Sequence, residues 1–268
     1  MLERGLFPST SAPARRCPCM PTPANQSNQA SPPPPVLLTD EWAALNAALR
    51  RDFRAAGYRG SYGLTATPLL RTSVLVVGNN WGGAVDAPPP KRMPLTNEML
   101  VYPTNPTYRG YLHFFRTVFD GDDWRMLTFL HRIVYLNGNF VRTPNQTAHY
   151  KDLLALGRTV SAPHLRTVLD LVRPELIICF GNGPHSGTDA IATALGKATD
   201  FRADEELVKT PAGNRTFAYC FPAGPLLPDS TVYSYAHGNR YNQWMPGIER
   251  NVVFRELKYA LRQRFPFG

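Results

Sequence analysis

No run of about 18 apolar residues occurs in the chain, and no apolar stretch of signal-peptide type follows Met1. Neither a membrane-spanning helix nor export is therefore expected. Cysteine is scarce: Cys17 and Cys19 stand in a Pro-rich stretch, Cys179 and Cys220 inside apolar runs. Metal-binding cysteines come as close pairs on tight turns, so no four-cysteine metal centre is expected. The last two read as small core residues, and a reducing, cytoplasmic setting (nucleoid-associated in a prokaryote) is the expectation. His113, His131, His149, His164 and His185 show no metal-ligand spacing, and no metal is assigned. Also missing are the spaced glycines of a dinucleotide fingerprint and the Gly-Lys-Ser/Thr of a P-loop, so no cofactor is assigned either. No long block of like charge marks a disordered nucleic-acid-binding tail.

What the chain does have is positive charge. Lys and Arg number 29 against 20 Asp and Glu, a net charge of +9. Such a surplus attracts polyanions, of which nucleic acid is the commonest. Residues 1–35 are rich in Pro, Ser, Ala, Asn and Gln and end in four prolines. They cannot bury enough apolar surface to order themselves and read as a flexible leader. Residues 36–268 are enough for one domain with a sizeable core.

Within that domain, helical and strand-like stretches alternate. Asp40 is expected to cap a helix from Glu41 to Ala56, with Trp42, Leu45, Leu49 and Phe53 at helical spacing. A strand at Ser73–Val77 leads to a Pro-rich loop from Asp86 to Pro106. Helices follow from Thr107, carrying Tyr111, Phe114, Phe115 and Val118, and over Asp123–His131. Then come a strand at Ile133–Leu136, a helix Ala162–Val172 capped by Ser161, and a strand Leu176–Phe180. A helix Gly187–Leu195, a hairpin joining Glu206–Lys209 to Thr216–Phe221, a strand Thr231–Ala236 and a helix Ile248–Arg264 complete the order. Alternation of this kind predicts an α/β fold of three layers with a central, mostly parallel four-stranded sheet.

Three strands stop abruptly at polar tips: Gly78-Asn79-Asn80-Trp81-Gly82-Gly83, Asn137-Gly138-Asn139 and His237-Gly238-Asn239. In open α/β sheets, ligands sit beyond the carboxyl ends of such strands, so the tips can converge on one pocket. Taken singly they are ordinary, since an Asn at a strand end usually satisfies local backbone. As a set they resemble the uracil-DNA glycosylase superfamily, and its mismatch-specific and single-strand-selective branches most. Gly78, Asn80 and Gly82 match the Gly-x-Asn-Pro-Gly that these branches carry after the first strand, with Trp81 in place of the proline. Tyr135 to Pro144 is similar to the strand that ends in Asn and runs on to a basic residue and proline. His237 stands at the histidine of the family's His-Pro-Ser, whose Pro-Ser is replaced here by Gly238-Asn239. Leu176 to Asn182 resembles the strand that ends in a Gly turn.

That resemblance implies a uracil-DNA glycosylase-like fold and a monomer that acts on single- or double-stranded DNA. The activity it implies is hydrolysis of the N-glycosidic bond of a flipped-out uracil-like or modified base, leaving an abasic site. Such chemistry builds positive charge on the sugar and negative charge on the departing base, so a site must hold a water and stabilise the base anion. By resemblance Asn80 positions the water, His237 donates to the leaving base, and Asn137 reads the base edge. An amide suits that last role because it offers both a donor and an acceptor. Tyr102 is the preferred stacking aromatic, with Trp81 as competitor. DNA contacts fall to Gly181 and Asn182, whose turn can offer N–H groups to a phosphate, and to Gly238, Asn239, Arg240 and Tyr241. A neutral Asn80 cannot act as a base as a carboxylate would, so slow turnover or a readily leaving base is expected. The roomy loops leave space for a bulky modified base. The alternatives are a non-catalytic DNA-binding protein on the same fold and a nucleotide-binding enzyme using the Gly78 loop.

Overall fold

The computed structural model describes residues 36–60, 62–63, 69–81, 85, 97–143, 150–182, 186–197, 206–210, 213–236 and 247–265, with Asn80, Trp81 and residues 206–210 and 213–217 described by backbone alone. The expected leader, residues 1–35, lies outside the described residues. Two sheets form. A small antiparallel pair joins β1 (Val36–Leu37) to β2 (Leu70–Arg71). The main sheet contains β3 (Val74–Trp81), β4 (Val134–Arg142), β5 (Leu176–Phe180), β6 (Glu206–Thr210), β7 (Gly213–Pro222) and β8 (Thr231–Tyr235), in the spatial order β4-β3-β5-β8-β7-β6.

The first four strands of that order run parallel, and β7 and β6 are antiparallel additions at one edge. The expected sheet of four strands is therefore corrected to six. The hairpin between 206 and 221 is legible in the sequence, but its joining the sheet beside β8 is not, because edge pairing leaves no period in the sequence. Val74, Leu75, Val76 and Val77 are fully buried, as strands covered on both faces of a parallel sheet must be.

One face packs on α2 (Glu98–Val101), α3 (Pro106–Val118), α4 (Asp123–Leu130) and α7 (Val252–Arg264). The other packs on α1 (Thr39–Ala55), α5 (Lys151–Val172) and α6 (Gly187–Ala194). Helix α3 shows why these segments coil: Tyr108, Tyr111, Phe114, Phe115 and Val118 recur at helical spacing and are all buried. The Asn105 side chain accepts from the Thr107 N–H and Pro106 sits at the first helical position. The face beneath α3 is aromatic, with Tyr111 stacked on Phe180 at 4.1 Å between ring centroids. No helix among the described residues is long and apolar enough to cross a membrane.

Several expected boundaries are corrected. Helix α1 starts at Thr39 with no side-chain cap, so Asp40 lies in its first turn, where a negative charge suits the helix dipole, and does not cap it. Helix α5 starts at Lys151 and runs through Ser161 and Pro163, so Ser161 caps nothing. Its hydroxyl instead accepts from the Phe140 N–H at 3.1 Å. The C-terminal helix is broken: a 3-10 turn at Ile248–Arg250 precedes α7, because extended Asn251 caps α7 by accepting from the Phe254 N–H at 2.8 Å. Of the two core cysteines, Cys179 carries a free buried thiol, pushed up in pKa by burial. Cys220 is buried as well, so both are core residues as expected, and it is disulfide-bonded.

Candidate functional site at the carboxyl ends of the parallel strands

Strands β3 and β4 run further than expected, so the first two polar tips belong to the sheet itself. Gly78 pairs in register with Asn137 and Asn80 with Asn139. The next β3 residue, Trp81, pairs with Arg142, which leaves Phe140 and Val141 with no opposite residue on β3. Side chains catch the two amides freed by this irregularity. Phe140 N–H donates to Ser161 Oγ, and Val141 N–H to Asn139 Oδ1 at 3.2 Å. An irregularity of this kind bends a strand and re-aims the residues beyond it, and it recurs beside functional sites.

The four asparagines at the two tips divide by role. Asn79 is buried, and its Oδ1 accepts from the Gly187 N–H at 2.9 Å, so it ties the end of β3 to the start of α6. Asn139 is buried too. Its Nδ2 donates to the Leu154 carbonyl at 2.8 Å while its Oδ1 holds the Val141 amide, which pins β4 to α5. Both are structural. Asn80 forms the last aligned pair before the irregularity and is placed by its backbone, as is Trp81.

Asn137 is different. It is 3 % exposed, and its Oδ1 accepts from the Tyr135 hydroxyl at 3.2 Å. Only a glycine can lie beside this pair. A Cβ on Gly78 would stand 2.5 Å from Tyr135 Oη and 2.9 Å from Asn137 Oδ1. The motif's first glycine is thus explained by room for a hydrogen-bonded amide, without any phosphate.

Behind Asn137 lies a polar cluster that the sequence does not reveal. Tyr108 stands between Tyr135 and Glu98, its ring meeting Tyr135 edge-on at 5.6 Å between centroids and its hydroxyl coupled to the Glu98 carboxyl. The Glu98 Oε2 is buried with no hydrogen-bond partner among the described residues. Burial pushes the Glu98 carboxyl above the ordinary glutamate range, against the opposing pull of the Tyr108 hydrogen bond and the Arg142 charge. Burial first, then the Glu98 charge, also pushes Tyr108 up, and burial does the same to Tyr111 and Tyr135. A signal for Glu98 exists in Asn97-Glu98, a cap followed by an acid, inside the segment expected to be loop. Asn97 does cap the short helix α2, accepting from the Met99 N–H at 3.0 Å.

At the end of β5, Gly181 adopts a φ of +103°, a conformation that L side chains rarely take. Its N–H donates to the Tyr235 carbonyl at 2.7 Å, so that amide is spent inside the sheet and not open to a phosphate. The Gly181 carbonyl accepts from Thr188 Oγ1 at 2.8 Å, and Thr188 meets Ser234 Oγ at 2.7 Å. Helix α6 is thereby locked against the ends of β5 and β8. Asn182, next along, is half-buried.

Tyr102 is 55 % exposed at the carboxyl end of α2, a full turn beyond Glu98. The third tip comes after β8, but His237, Gly238, Asn239, Arg240 and Tyr241 lie outside the described residues, as do Gly82 and Gly83. What is brought together is the end of β3 and Asn137, with Glu98, Tyr108 and Tyr135 behind it. Among the described residues no cluster of His, Cys, Asp and Glu suited to a metal ion is found. Comparison of the chain with protein-family models and with curated proteins gives no match.

Proposed function

We propose that the chain is a monofunctional DNA glycosylase of the uracil-DNA glycosylase type, which hydrolyses the bond between deoxyribose and a flipped-out uracil-like or modified base. The observation that carries this reading is Asn137: a buried amide inside β4, opposite Gly78 on the parallel strand β3, with one end held by Tyr135. An amide so held offers its other end to the edge of a base, and a fixed amide discriminates between edges where a mobile one does not. The order of four parallel strands, with tips at Asn80, Asn137 and beyond Tyr235, supports a ligand position at that end of the sheet.

In this reading the C1′–N bond breaks with its electron pair passing to the base. Water supplies the oxygen that bonds C1′ and gives up its proton to solvent. Asn80 orients that water, and His237 donates to a base oxygen as negative charge develops there. Tyr102, exposed at the end of α2, would give the extruded base a face to stack on, with Trp81 as the competing platform. The net charge of +9 draws the protein to phosphate regardless of sequence, and Arg240 and Tyr241 come after the candidate histidine where they would meet the strand.

The test is incubation with DNA containing uracil, mismatched or modified bases, followed by hot alkali, which breaks the chain at abasic sites. Strand breaks at the target base are expected. Binding without breaks replaces this reading with a DNA-binding protein on the same fold. No binding, together with thermal stabilisation by free nucleotides, replaces it with nucleotide binding at the Gly78 segment.

A further inference from the structure

Residues 50–59 hold four arginines, Arg50, Arg51, Arg54 and Arg59, against one acid, Asp52, so a third of the net charge of +9 falls within ten residues. All four arginines are exposed. Helix α1 buries Leu45, Leu49 and Phe53, and Arg50 and Arg54, four residues apart, share the face turned away from them. Positive charge in a last turn suits the helix dipole, but that accounts for Arg54 alone. Asp52 is engaged twice: Arg51 Nε donates to its Oδ1 at 3.0 Å, and Nε2 of His164 on α5 lies 2.9 Å from its Oδ2. Arg50, Arg54 and Arg59 form no ion pair with any described residue. On the other face of the sheet, Arg116, Arg125, Lys258, Arg262 and Arg264 are each matched by a carboxylate. We propose that the end of α1 is a docking surface for the DNA backbone, where phosphates of the strand that enters the site meet Arg50, Arg54 and Arg59. This rests on the reading of DNA as the partner, and on none of the catalytic assignments.

The fold holds these arginines at the same end of the sheet as Asn80 and Asn137. The Phe53 ring stacks on Tyr62 at 4.7 Å between centroids, and the Tyr58 N–H donates to the Phe53 carbonyl at 3.0 Å. Tyr62 is bridged to Val141, and the Gly63 N–H donates to the Phe140 carbonyl at 2.9 Å. Val141 comes two residues after Asn139, the partner of Asn80, in β4, which is the edge strand of the sheet. The end of α1 is thereby fastened to the carboxyl end of that edge. From Asn137 to Val141 is four residues, about 13 Å at roughly 3.3 Å each. DNA advances about 3.4 Å per nucleotide, so phosphates about four nucleotides from a base held at Asn137 are the first to come level with the arginines. A guanidinium meets phosphate in a planar fork, and the affinity comes largely from the counterions that the phosphate releases. Cations already matched by a carboxylate release fewer, which singles out the three that are not.

The test compares the full chain with Arg50→Gln/Arg54→Gln/Arg59→Gln and with a control, Arg71→Gln/Arg132→Gln/Arg173→Gln. The control removes the same charge next to the amino ends of β3, β4 and β5. Circular dichroism confirms that both variants fold. Binding to a duplex of about 20 base pairs is then followed against salt. Each phosphate contact contributes about 0.9 to the slope of log affinity against log salt, so the first variant should lose about 2.7 of slope and the control none. Between about 50 and 200 mM salt, wild-type affinity should fall about fortyfold further than that of the first variant. Arg50→Lys/Arg54→Lys/Arg59→Lys, which keeps the charges, should keep the slope. On a pentanucleotide, which reaches two nucleotides to each side of its central base, wild type and the first variant should share one slope. An unchanged slope in the first variant, an equal loss in the control, or an equal loss on the pentanucleotide overturns the inference. Base release at saturating DNA separates it from the functional reading. If the slope falls as stated but wild type releases no base from any DNA, the docking surface stands and the glycosylase reading fails. If bases are released while the slope ignores Arg50, Arg54 and Arg59, the inference is overturned and the reading survives.

Discussion

Asn79 and Asn80 are adjacent in sequence and should fail in opposite ways. The Asn79 Oδ1 accepts the Gly187 N–H at 2.9 Å, and both residues are buried. Asn79→Ala leaves that N–H with no acceptor, because α6 offers none to the first residue of its own helix. Stranding a buried donor costs about 1–3 kcal/mol. For a domain of this size, about 2–4 °C of melting temperature is lost per kcal/mol, so a drop of roughly 2–10 °C is expected. Asn79→Asp keeps an acceptor oxygen at a helix N-terminus, where negative charge is favoured, and should recover part of the loss. Asn80→Ala should leave the melting temperature within about 1 °C while lowering single-turnover base release at least about tenfold, as removal of one transition-state contact does. The assays are thermal unfolding by circular dichroism and release of base from saturated enzyme–DNA complexes. An Asn79→Ala protein as stable as wild type would refute the capping role. If Asn79→Ala lost release but not stability, the two asparagines would have been assigned the wrong way round.

Other expectations rest on the same geometry and charge. His237→Ala should lower base release by roughly a hundredfold, with a smaller effect for bases that leave readily; an equal loss for all leaving groups, seen in single-turnover rates, would indicate structural damage instead. Glu98→Gln should change stability with pH in one direction. Because the folded-state carboxyl titrates above its usual 4.5, the folded protein holds the proton more tightly. Wild-type stability relative to the variant is therefore full below the unfolded value and declines as pH rises through the raised one. Denaturant titration at several pH values checks this, and a difference that grew in favour of wild type with rising pH would contradict it. Affinity for plain duplex should fall linearly with log salt, with Arg240→Ala lowering the slope by about one if it meets a phosphate and Tyr102→Ala leaving it unchanged; a flat wild-type response would rule out phosphate contacts.

Much of the frame is legible in the sequence because it rests on local rules. The runs Val74–Val77 and Leu176–Phe180, the apolar spacing from Tyr108 to Val118, and the turn at Gly181 each state their structure in a few residues. The features that cannot be read there depend on partners far along the chain. Ser161 looks like a cap, but two residues of β4 have no partner on β3, and a freed amide takes its hydroxyl. Likewise Asn79 and Asn139 look like members of a site, yet Gly187 and Leu154, distant in sequence, employ them as structure. Glu98 escapes notice for a similar reason: its partners Tyr108 and Tyr135 come from α3 and β4, and no spacing rule links them. Asn137 is legible as a polar strand tip, and Gly78 as a motif glycine, but the reason for Gly78 emerges only from the Tyr135 hydroxyl above it.

The central claim is that this chain detaches a base from DNA, and the most direct measurement is of the base itself. Purified protein is incubated with DNA carrying natural, deaminated and hypermodified bases, the polymer is removed, and free bases are identified by mass spectrometry. Release of one base or a narrow set is expected, matched by an equal number of abasic sites and reduced together with them in Asn80→Ala and His237→Ala. If DNA is bound but no free base appears from any substrate, or if release is undiminished in both variants, the account is contradicted.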